Sequence, residues 1–184
     1  MNIFNIILIV LVLFILWLII TYNSLIRSKN RVKEAFSDID VQLKRRFDLI
    51  PNLVEAVKGY MQHEKTVLEN ITAARSAIIN AGSDIHKKVE AENMLSGALK
   101  TLFAVAENYP QLKASENFLK LQDELSDTEN KIQAARRFYN VNVRDFNTLI
   151  QTFPTNLIAN IMNFEPFEFF EAESEEKENI KVSF

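Results

Sequence analysis

From Phe118 to Phe153 the chain can be read at alternating steps of three and four: Phe118, Leu121, Leu125, Thr128, Ile132, Ala135, Tyr139, Asn142, Phe146, Leu149 and Phe153. That spacing lays one mostly apolar stripe along an α-helix, because residues three and four apart share a face. Sustained over so many turns it reads as a heptad seam. A helix over Ser115 to Gln151 would run on the order of 55 Å at 1.5 Å per residue. Such a rod draws its stability from burying the stripe against a partner along its length. Thr128 and Asn142 are its polar members. They are expected to fix register against a facing polar group, or, for Thr128, to lie at the solvent edge.

A matching surface lies upstream. Val32, Phe36, Ile39, Leu43, Phe47, Ile50, Val54, Val57 and Met61 also recur at three or four, with two successive steps of four at Ile39, Leu43 and Phe47 that amount to a stutter. Pro51 falls inside this pattern and lacks an amide N–H, so a kink near Phe47 to Ile50 is expected rather than a chain reversal. Val67, Ile71, Ala74 and Ile78 carry the same helix on to Asn80-Ala81-Gly82-Ser83-Asp84, a glycine stop followed by a fresh N-cap. A second helix follows from Asp84, antiparallel to the first, and closes at Asn108-Tyr109-Pro110. Lys113-Ala114-Ser115-Glu116 reads as loop and cap for the long third helix. Pro154 stops that helix, and Thr155 is placed to cap a short segment over Asn156 to Met162.

With three glycines, four prolines and no alternating run of β-branched residues bounded by turns, the chain leaves no room for a sheet. The expected fold is all-α: an N-terminal transmembrane helix followed by an antiparallel bundle of three long helices and one short one, with Val32 to Met61 facing the seam.

The transmembrane helix rests on Ile3 to Ile20, which is almost unbroken hydrocarbon interrupted by Asn5. A stretch of that length can cross a bilayer core. A cleaved signal peptide would need a basic start and small residues before the cut. Here only Met1 and Asn2 precede the run, and Ile19-Ile20-Thr21-Tyr22 is bulky, so the anchor is expected to be retained. Ile3, Leu8, Leu13, Trp17 and Ile20 are its lipid-facing candidates. Arg27, Lys29, Arg31 and Lys33 crowd the other flank, which predicts a short outer N-terminus and a cytoplasmic body, and makes these four candidates for lipid-headgroup contact.

The rest of the chain offers little chemistry. Cysteine is absent, so there is no disulfide framework and no thiolate site. His63-Glu64 begins like a zinc-protease motif, but Val67 stands where the second histidine would be. His86 and Glu90 share a helix face without a third ligand. Acidic pairs such as Asp38 and Asp40, or Asp123, Glu124 and Asp127, read as solvated faces. No catalytic, cofactor-binding or metal residue is assigned, and no small-molecule substrate is expected. Two basic clusters beside aromatics, Lys44-Arg45-Arg46-Phe47-Asp48 and Arg136-Arg137-Phe138-Tyr139, read as partners for acids between helices, such as Glu55, Asp145 or Glu129. With a net charge of −3 and its bases diluted by acids, the chain is not expected to bind nucleic acid.

The C-terminal tail pairs Phe164, Phe167, Phe169 and Phe170 with an acidic run over Glu171 to Glu178. It reads as a docking strip with a solvated end, which either folds back on its own bundle or engages another protein through Phe167, Phe169 and Phe170.

Leu43-Lys44-Arg45-Arg46-Phe47-Asp48-Leu49-Ile50-Pro51-Asn52-Leu53-Val54 followed by Val57-Lys58-Gly59-Tyr60 and His63-Glu64, then Leu121-Gln122-Asp123-Glu124-Leu125, Thr128-Glu129-Asn130-Lys131-Ile132, Ala135-Arg136-Arg137-Phe138-Tyr139-Asn140, Val143-Arg144-Asp145-Phe146-Asn147 and Phe153-Pro154-Thr155-Asn156 together resemble the signature of the LemA family of bacterial membrane proteins. The resemblance runs from the anchor to Phe169-Phe170-Glu171-Ala172. It implies a single N-terminal anchor, a cytoplasmic helical bundle and no established enzymatic activity, in a family with members linked to organelle-like membrane compartments and others encoded near membrane metalloproteases.

The resulting expectation is an anchor over 1–22, a bundle over 23–162 and a tail over 163–184, in a bacterial inner-membrane protein that is not an enzyme. It would be an interaction scaffold whose partners are the lipid bilayer, copies of itself or another membrane protein. The alternative is an adaptor or regulatory subunit of a membrane enzyme such as a metalloprotease.

Overall fold

A computed structural model describes residues 2–61, 63–82 and 84–170; Ser83 and the acidic run Glu171 to Glu178 lie outside the described residues. Among those described the chain is helical without a strand, as its composition demands. The helices are α1 (Ile3–Lys58), α2 (Lys65–Ala81), α3 (Ile85–Ala106), the single-turn α4 (Pro110–Lys113), α5 (Glu116–Gln151) and α6 (Thr155–Ile161). They form two compact units, one from Met1–Ile39 with Ala134–Phe169, the other around Asp40–Gln133, so that α1 and α5 each contribute to both.

In the second unit, the expectation of one helix reaching Gly82 is overturned. Pro51 is accommodated inside α1, but the helix ends at Lys58, where the Tyr60 and Met61 amides both bond the Val57 carbonyl. A glycine at position 59 costs a continuing helix about 1 kcal/mol relative to alanine. The stronger pull comes from α2, whose Val67, Ile71 and Ala74 are buried with Ile50, Leu53, Val57 and Met61. Burying one Val or Ile is worth about 1.5–3 kcal/mol, which a straight continuation would forfeit. The chain therefore reverses, and the guanidinium of Arg75 on α2 lies 4.3 Å over the Phe47 ring of α1.

Gly82 ends α2 with a positive φ of 56°, and Asp84 caps α3 by accepting the His86 and Lys87 amides at 3.0 and 3.2 Å, as the pattern predicts. Because α2 has already turned back, α3 is antiparallel to α2 and parallel to this part of α1: Asp40 meets Lys88, and Arg46 meets Glu92 and Ser96. The expected antiparallel relation to the first helix fails for that reason. The start of α5 then runs opposite to α3, since Glu129 reaches the Glu92 level through Arg46 while Phe118 stacks edge-on to Phe103. Four helical segments alternate in direction around Ile50, Ile71, Leu95, Leu102 and Phe118.

In the first unit, Leu25, Val32, Ala35 and Ile39 of α1 and Tyr139, Val143, Phe146 and Ile150 of α5 are buried. Phe36 packs on Tyr139 at 5.6 Å between ring centres. The seam holds from Phe118 to Tyr139 and then moves by one residue, so that Val143 and Ile150 are buried while Phe153 is 77% exposed. A straight helix drifts by about 20° per heptad from a 3.5-residue repeat, and this drift carries Asn142 and Leu149 off the stripe. Neither polar seam residue locks register. Thr128 is fully buried but donates to the Leu125 carbonyl of its own helix at 2.8 Å, and Asn142 likewise bonds the Phe138 carbonyl.

Beyond α5, Thr155 is the first residue of α6 rather than its cap; Pro154 precedes it and no side-chain cap bond forms. At the other end Asn163 adopts φ 53°, the Phe164 amide bonds the Ala159 carbonyl at 2.9 Å and the Asn163 amide bonds the Asn160 carbonyl. This pair of bonds is a Schellman stop.

Candidate functional site

Two core positions in the second unit carry opposite charges. The α1 stripe of Ile39, Leu43, Ile50, Leu53 and Val57 is completed by Arg46, and the α3 stripe of Leu95, Leu99, Leu102 and Ala106 extends back to Glu92, each 3% exposed. The Arg46 guanidinium donates to the Glu92 carboxylate, to Glu129 of α5 at 2.6 Å and to the Ser96 hydroxyl at 3.1 Å. Taking such ions out of water costs several kcal/mol each and is offset only by close pairing with hydrogen bonds. The cluster therefore works as a joint between three helices, its cation committed to protein partners.

Beside it, Lys88 and Asp40 pair at 2.6 Å at a cleft of about 290 Å³ flanked by Leu43, Phe47, Ile78 and Ile79. That volume is at the bottom of the range of roughly 300–1,000 Å³ that small-molecule sites occupy. The charged side chains on its walls are Asp40, Lys44, Lys88 and Glu92, of which Lys88 and Asp40 pair with each other and Glu92 with Arg46.

The basic cluster before Phe47 pairs, as expected, with acids on other helices. Arg46 takes the expected Glu129 together with Glu92, which the spacing alone does not single out, and Arg45 takes Asp127 at 3.5 Å. Asp145 instead lies against its neighbour Arg144. Asp40 and Asp127, expected to be merely solvated, are both engaged. The Asp127 carboxyl sits below its ordinary pKa because Lys131 hydrogen-bonds it at 2.7 Å, with the charges of Lys131 and Arg45 adding to the effect against a desolvation cost. A signal for the missed pair was present in the sequence. Arg46 and Glu92 each occupy a place that the apolar spacing of their own helix assigns to the core, and two opposite charges in core places call for one another.

His63 and His86 are exposed, Val67 is buried in the core, and Glu64 accepts a hydrogen bond from the Tyr109 hydroxyl at 3.3 Å. Burial and the nearby Glu64 charge raise the Tyr109 pKa. No group of three potential metal ligands occurs among the described residues.

In the first unit the residues expected to face lipid are placed as follows. Ile3, Leu8, Leu13 and Ile20 are exposed, and Trp17 is half-buried with Phe14 beside it at 5.8 Å. Among the described residues, only α1 is long and apolar enough to cross a membrane, and its apolar window is not buried by protein. On this ground the chain is read as membrane-associated. Arg27, Arg31 and Lys33 are exposed, Arg27 donating to the Asn23 carbonyl, while the half-buried Lys29 places its ammonium 5.3 Å from the Phe164 ring centre.

The described part of the tail folds back. Phe164 and Phe167 pack edge-on against Phe146, with ring centres 6.2 and 5.2 Å away. Asn147 bonds both the amide and the carbonyl of Phe167, and the Tyr139 hydroxyl donates to the Glu168 carbonyl at 2.9 Å. Burial, and secondarily the Glu168 charge, raise the Tyr139 pKa. Of the three candidate partner contacts, Phe170 is buried, Phe167 is half-buried and Phe169 remains exposed.

The pattern of the LemA family matches residues 35–184. "Protein LemA" of Metamycoplasma hominis is 32% identical over 88% of this chain and 74% of that protein. "Magnetosome protein MamQ" of Magnetospirillum gryphiswaldense is 23% identical over 87% of this chain and 68% of that protein, and "Magnetosome protein MamQ 2" of Paramagnetospirillum magneticum is 24% identical over the same shares. The blocks that surround the Arg46 joint and the Tyr139–Asn147 tail clamp lie inside the matched span, and the chain belongs to the LemA family.

Proposed function

We propose that this protein is a single-pass membrane anchor carrying a non-enzymatic helical scaffold, with a short N-terminus outside the cell membrane and the body in the cytoplasm. The observation that carries the reading is the division of labour along α1: an uncovered apolar stretch, then a basic flank, then a core face whose one buried cation is consumed by Glu92 and Glu129. The buried charges of that face are spent on holding helices together. The names of the relatives, LemA and magnetosome protein MamQ, are not enzyme names, which supports the same reading. Orientation rests on Arg27, Lys29, Arg31 and Lys33. Arg27 stands about 10 Å beyond Ile20 along the helix, exposed and within long-side-chain reach of headgroups, so it is the strongest lipid contact of the four, Lys29 being turned to the Phe164 ring.

Crosslinking in intact membranes tests the role. Dominant self-crosslinks, or crosslinks to several membrane proteins, are expected of a scaffold. A single stoichiometric membrane enzyme would assign the adaptor role instead. External protease that digests the body in unbroken spheroplasts would overturn the orientation.

A further inference from the structure

We infer that α6 and the turn before it form a second membrane contact, a foot that lies in the headgroup and upper acyl region beside the anchor. The inference rests on the reading of α1 as a membrane span. From Phe146 through Phe164 the sequence has no charged residue. The fold buries Ile158 and Ala159 of this stretch but leaves Phe153 and Ile161 each 77% exposed, with Leu157 and Met162 about half exposed. Leu157 and Ile161, four apart, mark one face of α6. That face is continuous with the anchor, because Ile158, Ile161 and Met162 share a cleft of about 420 Å³ with Leu18, Ile19 and Tyr22 of α1. Leu18 to Tyr22 is where the hydrocarbon run ends, and a tyrosine at that depth is typical of the membrane–water interface. The cleft offers Tyr22 as its one side chain with a polar atom.

A short helix with large apolar side chains on its outer face, held at the level where a span leaves the bilayer, gains free energy in proportion to the apolar area it buries there. Its occupant is lipid, with acyl chains filling the cleft between α6 and α1. A second protein copy is the competing cover. The absence of charge on α6 favours lipid packing, with headgroup attraction supplied from α1 by the exposed Arg27.

The chain has no native cysteine, so single labels are clean. The full-length protein would be reconstituted in phosphatidylcholine–phosphatidylglycerol vesicles with an environment-sensitive fluorophore at one of three substitutions: Ile161→Cys on the foot, Leu11→Cys in the anchor, or Ile79→Cys on the second unit. All three side chains are exposed, so labelling leaves the cores intact. The expected result is that the Ile161→Cys label is shielded from iodide and quenched by lipids carrying a shallow nitroxide, the Leu11→Cys label is quenched by a deep nitroxide, and the Ile79→Cys label behaves oppositely to both. Iodide access at position 161 with the position 11 label still quenched by lipid would overturn the foot alone. Shielding from iodide without lipid quenching at position 161 would overturn it in favour of a protein cover. Iodide access at both positions would overturn the anchor and the foot together.

Discussion

Asn147 holds Phe167 by both polar groups of its backbone, accepting the amide at 2.9 Å and donating to the carbonyl at 2.8 Å. A primary amide offers a donor and an acceptor side by side, so one side chain replaces the neighbouring strand that an extended segment would otherwise need. Asn147→Ala is expected to lower stability by about 1–3 kcal/mol, since two half-buried backbone groups lose their partners. Asn147→Asp keeps the acceptor but sets a carboxylate oxygen against the Phe167 carbonyl, so it is expected to be as damaging at neutral pH. Thermal melts and hydrogen exchange over residues 164–170 are the measurements. An alanine variant with unchanged exchange at Phe167 would show that the rings around Phe146 hold the tail by themselves.

The turn that sends the tail back depends on Asn163, which among the described residues is the non-glycine residue with a positive φ. Asparagine tolerates this region because its short amide bonds locally, whereas a β-branched side chain does not. Asn163→Gly is expected to be close to neutral, and Asn163→Val to cost about 1–2 kcal/mol. Equal melting temperatures for the two variants would remove the turn from the account.

At the buried joint, removing one partner leaves the other charged and unpaired. Arg46→Ala and Glu92→Ala are each expected to destabilise by about 3–5 kcal/mol, read from denaturant unfolding. The double variant Arg46→Ala with Glu92→Ala is expected to lose less than the sum of the two single variants, because the charge it leaves, on Glu129, has access to water. Additive losses would mean that Arg46 and Glu92 act independently.

The Asp84 cap makes a pH prediction. Its carboxyl is held below the ordinary 3.8 chiefly by the Lys87 amide, with the Lys87 charge and the His86 amide adding to the effect. A group whose pKa is lower in the folded state stabilises fully above its unfolded value and loses that contribution as pH falls through the folded one. Asp84→Asn keeps a capping acceptor without the titration. It is expected to retain helix α3 at neutral pH and to flatten the acid limb of a plot of melting temperature against pH. A variant with an unaltered acid limb would place the sensitivity elsewhere, Asp127 being the next candidate.

Much of this was legible beforehand, and the misses share a cause. The all-α class, the glycine stop at Gly82 and the Asp84 cap follow from spacing and local chemistry, which act within a few residues, and the seam pairing of α1 with α5 follows at Phe36 against Tyr139. Spacing went wrong where Met61 continued the α1 stripe by its step of four, because a periodicity does not record whether the chain stays straight or turns back to cover itself. It also chose Phe47 over Arg46 for the core, since an apolar residue is the cheaper guess at any buried place. Only a partner such as Glu92, distant in sequence, makes a buried arginine tolerable.

By itself, the order of residues determined the apolar span at the start of α1, the helical class, the Gly82 stop and the Asp84 cap, each a matter of local transfer energy or backbone propensity. Tertiary structure alone decided that α2 reverses, that Arg46 is shared by Glu92 and Glu129, that the tail closes on Phe146 through Asn147 and that the uncharged α6 comes to lie beside Leu18 and Tyr22. These are contacts between residues far apart in sequence, and their free energies exist only once several helices have excluded water together.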